Sequence, residues 1–224
     1  MHVAVTALAQ SFADNAGWLP EIVFEPMGSL QGRLAAGETA DVLILASSAI
    51  DALAKSGALL DGSCTEVARG PIGVAVRDGA PVPDISTAES FKAALAAARV
   101  IALSDPAVGG SAGVYLRDLF GRLGVDEMIA AKTLRQKSGA AAADAVGRGE
   151  ADLAMTFIPE LLQGKGVRIL GPLPLPYHHA TSYVAGISAC CGFPDAARAF
   201  LAALTAPEAC AVWAAAGFEV GSVN

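Results

Sequence analysis

Short apolar runs alternate along the chain with alanine-rich segments, and this alternation is the feature that most limits the fold. Apolar runs of about four to eight residues bounded by turn residues are typical of buried strands, whereas the alanine-rich segments have helical length and composition. Six runs fit the strand pattern: HVAVTAL (2–8), DVLILA (41–46), IGVAV (72–76), RVIALS (99–104), DLAMTF (152–157) and VRIL (167–170). Strands alternating with helices predict an α/β protein with a parallel or mixed sheet.

Two of the predicted helices have recognisable ends. Ser86 and Glu89 have the spacing of a capping box ahead of an alanine-rich segment. A second helix is predicted to end at Gly124, because a glycine suits the left-handed position after a helix. Its apolar face consists of Leu116, Leu119, Phe120 and Leu123.

Composition limits the class of protein and of partner. The chain has 224 residues, of which 54% are hydrophobic, enough for the core of one large domain or two smaller lobes. Its net charge of -7 argues against a nucleic-acid backbone or an anionic membrane as partner, since either calls for a basic surface. A small anion is still compatible, because local dipoles can bind it.

Neither a targeting segment nor a metal site is indicated. No apolar run approaches the roughly 20 residues of a membrane helix, and MHVAVTALAQ lacks the basic start of a signal peptide. We therefore expect a cytoplasmic protein if the chain is complete as written, and a periplasmic one if a leader was removed. The four cysteines have no zinc-like spacing, and neither a metal nor a cofactor is predicted.

The glycine cluster in SDPAVGGSAGVYLRDLFGRLG (104–124) allows three interpretations. It can be a tight turn from strand to helix. It can be a nucleophile elbow, since Gly109, Ser111 and Gly113 spell G-x-S-x-G and acidic residues followed by His178 and His179 lie downstream. It can also bind an anion, because the free N–H groups at a helix start carry partial positive charge.

Other predicted turns from strand to helix carry similar residues. An isolated serine there is usually an ordinary helix cap, but recurrence at successive turns favours a ligand site at the strand ends of an open α/β sheet. The residues concerned are Gln10 and Ser11, Gly28 and Ser29, and Lys137, Ser138 and Gly139.

Four segments together resemble one family. They are GSLQGRLAAGETADVLILAS (28–47), TEVARGPIGVAV (65–76), SDPAVGGSAGVYLRDLFGRLG (104–124) and GRGEADLAMTF (147–157). In this order they are similar to the molybdate-binding proteins of ABC importers, which have the type II periplasmic binding-protein fold. The resemblance extends from about residue 3 to residue 218.

The resemblance implies two α/β lobes joined by two crossing strands, near residues 69–76 and 181–187. One lobe would combine residues 1–70 with 182–224, and the other would contain residues 71–181. An oxyanion would be held in a cleft between the lobes by serine hydroxyls and main-chain amides.

The family's ligand-binding positions can be transferred residue by residue. The serine of its first loop matches Ser11, or Gln10 without a one-residue insertion, and that of its second loop falls at Ser29. The third loop matches Ser111 and the amide of Ala112, and the amide of the fourth loop matches Gly139.

One position departs from the family. Phe157 stands where the family has a tyrosine hydroxyl donor, and losing one donor from a buried site costs about 1–3 kcal/mol. A carboxylate is therefore an alternative to molybdate, and Arg33, Arg69 and Lys137 are cationic candidates for binding it.

We therefore predict a solute-binding protein that captures a molybdate- or tungstate-like oxyanion for ABC-type uptake, with a membrane permease as partner and no catalytic residue. One alternative is an isomerase of a small unsaturated polycarboxylate, with His178 or His179 as base. A serine hydrolase that uses Ser111 is the other.

Overall fold

The computed structural model describes residues 1–25, 27–105 and 111–221. They form two compact units, one of Met1–Arg69 with Thr181–Asn224 and one of Gly70–Ala180. The helices are α1 His2–Ala16, α2 Met27–Ala35, α3 Ser47–Lys55, α4 Ala88–Ala97, α5 Ser111–Leu123, α6 Asp126–Ala130, α7 Gly139–Gly147, α8 Ile158–Leu161, α9 Pro194–Thr205 and α10 Ala209–Ala215. The strands are β1 Val42–Ala46, β2 Thr65–Arg77, β3 Ile101–Ser104, β4 Thr133–Gln136, β5 Leu153–Phe157, β6 Val167–Pro172 and β7 Ala180–Ile187. Within the described residues no helix combines the length and the apolar character needed to cross a membrane.

The first unit is built around the antiparallel pair β1 and β7, which pairs Val42 with Ile187 and Ala46 with Tyr183. Apolar residues from α1, α9 and α10 form its main core together with residues of β2 and β7. Trp213 is fully buried there and donates its indole N–H to the carbonyl of Leu204 at 2.9 Å. The first unit is therefore held together by the pairing of β1 with β7 and by an apolar core around Trp213.

The second unit contains a mixed sheet whose centre is buried on both faces. β3 pairs in parallel with both β4 and β5, while β2 runs antiparallel to β5 and β6. Every residue of β5 is buried, as expected for a strand covered on both faces. The carboxyl ends of β3, β4 and β5 consequently lie at one edge, which we call the carboxyl edge.

Helix α7 packs closely against this sheet because its side chains are small. Ala142, Ala143 and Ala145 are completely buried in a cluster with residues of β2, β3, β5 and α8. A Cβ atom on Gly164 would approach Ala143 to 2.5 Å. The segment after α8 that contains Gly164 can therefore pack against α7 only because Gly164 has no side chain. The small residues thus fix the position of α7.

The predicted fold class is confirmed, although the first predicted strand is wrong. The segment HVAVTAL lies in α1, where Ala4, Val5, Leu8 and Ala9 are buried at helical rather than alternating spacing. The sequence pattern also missed β4, because this strand has only four residues and includes Arg135 and Gln136. The other five predicted runs coincide with β1, β2, β3, β5 and β6.

The predicted capping box is displaced by one residue. Thr87, not Ser86, caps α4: its hydroxyl accepts from the N–H of Ser90 at 3.1 Å, and the Ser90 hydroxyl accepts from the N–H of Thr87 at 3.0 Å. Serine replaces the usual Glu at the third helical position, so the pattern that begins with Ser86 and Glu89 was misleading.

We expect the substitution Thr87→Ala to lower the free energy of unfolding by about 1 kcal/mol, because it removes the acceptor for the N–H of Ser90. Ser86→Ala is the matched control and should have a clearly smaller effect. Chemical denaturation of both variants measures the difference. An equal or larger loss in Ser86→Ala would contradict the assignment of the cap.

Candidate functional site

Helix α7 begins at the carboxyl edge, directly after β4. Ser138 caps it, and its side chain accepts a hydrogen bond from the N–H of Ala141 at 3.2 Å. The N–H groups of a first helical turn have no partner within the helix, and they carry partial positive charge. The start of α7 at Gly139 therefore offers hydrogen-bond donors to an anion.

A carboxylate lies next to this helix start. The hydroxyl of Thr156, a fully buried residue of β5, donates to the carboxylate of Glu160 on α8. Both side chains lie so close to Gly139 that a Cβ atom there would overlap them. A side chain at position 139 would therefore displace Glu160 or Thr156, and an anion bound at the Gly139 N–H would meet the Glu160 carboxylate.

The second helix at this edge is α5, which begins at Ser111. The Ser111 side chain is exposed, whereas Ala112 and Gly113 are buried. Small residues in this first turn place no bulky side chain beside the main-chain N–H groups. Gly109, the first residue of the predicted nucleophile elbow, lies outside the described residues.

An aromatic stack adjoins the start of α5. The ring of Tyr115, one turn after Ser111, stacks on His179 with a centroid distance of 4.0 Å and an interplanar angle of 12°. The guanidinium of Arg122 lies 5.7 Å from the centroid of the same tyrosine ring. The Tyr115 hydroxyl donates to the carbonyl of Tyr177 at 3.0 Å, which holds the stack in position.

Burial and the charge of neighbouring His178 lower the pKa of His179. The carbonyl of His179 accepts the N–H of Ile72 at 2.9 Å, and Ile72 is paired with Phe157 in the β2–β5 ladder. His179 is thus tied to the strand residue beside the carboxyl end of β5. Its imidazole, favoured in the neutral form, can accept a proton.

Phe157 ends β5 and belongs to the apolar core of the second unit, with only 8% of its surface exposed. Its ring supplies no hydrogen-bond donor at this end of the strand. The carboxyl edge therefore contains the hydroxyl of Thr156 and the carboxylate of Glu160 beside a phenyl ring.

In the first unit, Ser11 does not follow a strand. It is exposed in the interior of α1, where its carbonyl accepts from the side-chain amide of Asn15 at 2.8 Å. The expectation of a turn at this position was wrong, because the preceding apolar residues form a helix. A ligand-binding role for Ser11 remains a prediction.

Ser29 is the third residue of α2, and its exposed hydroxyl donates to the carboxylate of Glu25. The hydrogen bond from Ser29 is the main cause that holds the pKa of Glu25 below its usual range, and the positive charge of nearby Arg33 lowers this pKa further. Arg33 also pairs with Glu38, so two carboxylates neutralise this cationic candidate. Arg69 is paired with Glu66 at 2.8 Å.

Two residues of the carboxyl edge escaped the sequence analysis. Tyr115 had no signal, because an aromatic residue in an amphipathic helix is usually part of a core. Glu160 is one of the acidic residues downstream of the predicted nucleophile elbow, and the sequence carries no other signal for it. Its actual neighbours, Thr156 and Gly139, come from two other elements, β5 and α7.

A family model for bacterial extracellular solute-binding proteins matches residues 1–219. With the fold described above, this match defines the class: the chain belongs to the bacterial extracellular solute-binding protein family. A curated relative from Pseudomonas sp., named aconitate isomerase, is 37% identical over 182 residues, which are 81% of this chain and 68% of the relative.

Two solved structures have the same fold. The periplasmic molybdate-binding protein of Azotobacter vinelandii has a TM-score of 0.73 and 22% identity, covering 98% of this chain and 95% of its own. A structure from Clostridium difficile, described as the substrate-binding domain of a molybdenum ABC transporter, has a TM-score of 0.82 and 16% identity, covering 97% and 94%. The resemblance to molybdate-binding proteins is confirmed at the level of the fold.

We expect Gly139→Ala to lower the free energy of unfolding by about 1–3 kcal/mol, because the new methyl group would displace Glu160 or Thr156. Gly121→Ala is the matched control: it lies in α5 with open space around its Cα and should raise stability by about 0.5–1 kcal/mol. Denaturant unfolding compares the two. A neutral Gly139→Ala would mean that Glu160 does not pack against α7.

Proposed function

We propose that this chain is the solute-binding component of an ABC-type importer, that it captures a small oxyanion of the molybdate or tungstate kind in the periplasm, and that it delivers the anion to a membrane permease. The observation that carries this proposal is the carboxyl edge of the second unit. There, α5 and α7 begin with Ser111, Ala112 and Gly139, whose main-chain N–H groups have no partner within their helices. Family membership supports the same function.

Neutral donors suit an anion that must be released again. The N–H groups of Ala112 and Gly139 and the hydroxyl of Ser111 offer partial charges, whose orientation the helices fix in advance. Such donors give selective binding without the stronger attraction of a buried full positive charge. Ser29 and Ser11 are assigned as further donors on the family resemblance alone.

Glu160 places a negative charge at the proposed anion site, which the family resemblance did not predict. The Glu160 carboxylate lies beside Gly139, so it repels a dianion that binds at the N–H groups of the first turn of α7. The Thr156 hydroxyl stabilises the carboxylate in this position. We therefore assign Glu160 as a residue that weakens the binding of fully ionised oxyanions and so sets the preference among anions.

Thermal unfolding in the presence of molybdate, tungstate, sulfate, phosphate and small carboxylates tests the proposal, because a ligand of the native state raises the midpoint. We expect molybdate or tungstate to raise it. Ser111→Ala should weaken the affinity about threefold to tenfold, the effect of one lost hydrogen bond, whereas Glu160→Gln should strengthen it.

The matched controls are Ser56→Ala, whose hydroxyl donates to the carbonyl of Leu53 at the end of α3 in the first unit, and Glu150→Gln, whose carboxylate pairs with Arg148 on the surface. Both should leave the ligand-induced shift unchanged. Unaltered anion affinity in Ser111→Ala would exclude this serine from the site. If none of the oxyanions raises the unfolding midpoint, the proposed ligand class is refuted.

A second candidate function is isomerisation of a small unsaturated polycarboxylate such as aconitate. The relative named aconitate isomerase favours it, as does the neutral His179 imidazole near the carboxyl edge. His179 would remove a proton from the carbon next to the double bond and return it to the far carbon of the allylic anion. The double bond moves, no electrons are gained or lost, and neither a cofactor nor a metal is required.

Incubation with cis-aconitate in D₂O, followed by proton NMR, tests this candidate. Turnover should convert the substrate to its trans isomer, and deuterium should enter at the reprotonated carbon whenever the proton on His179 exchanges with D₂O before its return. His179→Asn should abolish both signals because it removes the base. His2→Asn is the matched control, since His2 contacts Phe24 edge-to-face in the first unit and its replacement should leave turnover intact. Absence of trans-aconitate formation by the wild-type protein would eliminate the isomerase.

A further inference from the structure

A cavity of about 260 Å³ lies within the second unit, bordered by β3, α5, α6 and β4. Its apolar wall is formed by Leu103, Phe120 and Ile129, all of which are buried. An apolar cavity of about 150 Å³ accepts benzene, so this one has room for an aromatic ring with several further atoms. The proposed functions above do not use this cavity.

The cavity contains a hydroxyl without a partner. Ser104, the last residue of β3, is only 5% exposed, and its Oγ is the single buried side-chain oxygen or nitrogen of the described residues with no hydrogen bond. A buried polar group without a partner is costly, by an amount comparable to a lost hydrogen bond. Ser104 therefore marks a place where a hydrogen-bonding group from outside the chain is expected.

The cavity and the aromatic stack of His179 lie on different sides of α5. Each residue of an α-helix is rotated by about 100° from the previous one. Gly113, Arg117 and Phe120 therefore share the face that borders the cavity, whereas Tyr115 and Arg122 share nearly the opposite face. A ligand in the cavity would accordingly lie on the other side of α5 from the stack of Tyr115 and His179.

Charges of both signs surround the cavity. Arg117 and Arg135 contribute guanidinium groups, and Asp126 and Glu127 contribute carboxylates. Arg117 contacts its sequence neighbour Asp118 at 2.9 Å, and Arg135 contacts Asp105 at 3.5 Å. Both pairs are exposed, and a guanidinium has five N–H donors, so each arginine can also bind a ligand carboxylate.

We propose that this cavity binds a small α-amino acid whose apolar side chain ends in a hydrogen-bonding group, as in tyrosine. Arg117 and Arg135 bind its carboxylate, and Asp126 and Glu127 bind its ammonium group. The ring lies against the apolar wall, and its terminal hydroxyl reaches Ser104. This ligand class satisfies both signs of charge at the exposed end and the unpartnered hydroxyl at the buried end.

Calorimetric titration of the full chain with L-tyrosine tests the proposal, with three analogues that each lack one group. They are L-phenylalanine, without the ring hydroxyl; tyramine, without the carboxylate; and 3-(4-hydroxyphenyl)propionate, without the ammonium group. We expect tyrosine to bind with a Kd below about 1 mM and each analogue to bind about threefold to tenfold more weakly. Equal binding of all four, or no binding of tyrosine, would overturn the proposal.

Two substitutions locate the ligand. Ser104→Ala should remove the preference for tyrosine over phenylalanine, and Arg117→Gln should weaken tyrosine binding about tenfold. Arg148→Gln is the matched control, since Arg148 pairs with Glu150 and does not line the cavity. Unchanged affinities in Ser104→Ala and Arg117→Gln would place any bound amino acid elsewhere.

The stability of the ligand-free protein provides an independent test. Because Ser104→Ala removes an unpartnered buried hydroxyl, the variant should unfold at the same temperature as the wild type or at a higher one. A lower midpoint would show that Ser104 already has a partner in the native protein, such as a bound water, and would overturn the proposal. Aconitate turnover by the same variant should be unaffected, which separates this site from the His179 stack on the other side of α5.

Discussion

The parallel pairing of β3 with β4 and β5 is the constraint on which the second unit depends. Parallel strands end at a common edge, and the helices that follow them begin there. The starts of α5 and α7 thereby lie at the same edge of the sheet, although Gly139 follows Ser111 by 28 positions in the sequence. The donors proposed for anion binding follow from strand direction and do not need a contiguous motif.

The balance of charge at this edge distinguishes the proposed functions. Helix starts favour an anion, whereas the Glu160 carboxylate beside Gly139 opposes one, and the buried Phe157 offers no donor in compensation. An oxyanion site would therefore operate with fewer attractive contacts than the family resemblance implied. His179, with its lowered pKa, adds a proton acceptor that simple anion capture does not require. Solute binding and proton transfer thus place different demands on the same few residues.

Much of the fold could be predicted from the sequence, because buried strands such as β5 are continuous apolar runs. The error at α1 has a physical cause: Ala4, Val5, Leu8 and Ala9 are apolar enough for a strand, and only their helical spacing decides. The site was less predictable. Ser111 and Gly139 carried local turn signals, but the placement of Glu160 against Gly139 and of Tyr115 against His179 depends on contacts between distant segments.

The alanine packing of α7 limits how this protein can change its ligand. With Ala142, Ala143 and Ala145 fully buried, the helix cannot slide or tilt without opening voids or creating clashes. The N–H groups at its start are consequently fixed in position, independent of the residues around them. A descendant with a new specificity would keep α7 in place and replace side chains that surround its start, with Glu160 and Phe157 as the two positions most open to such exchange.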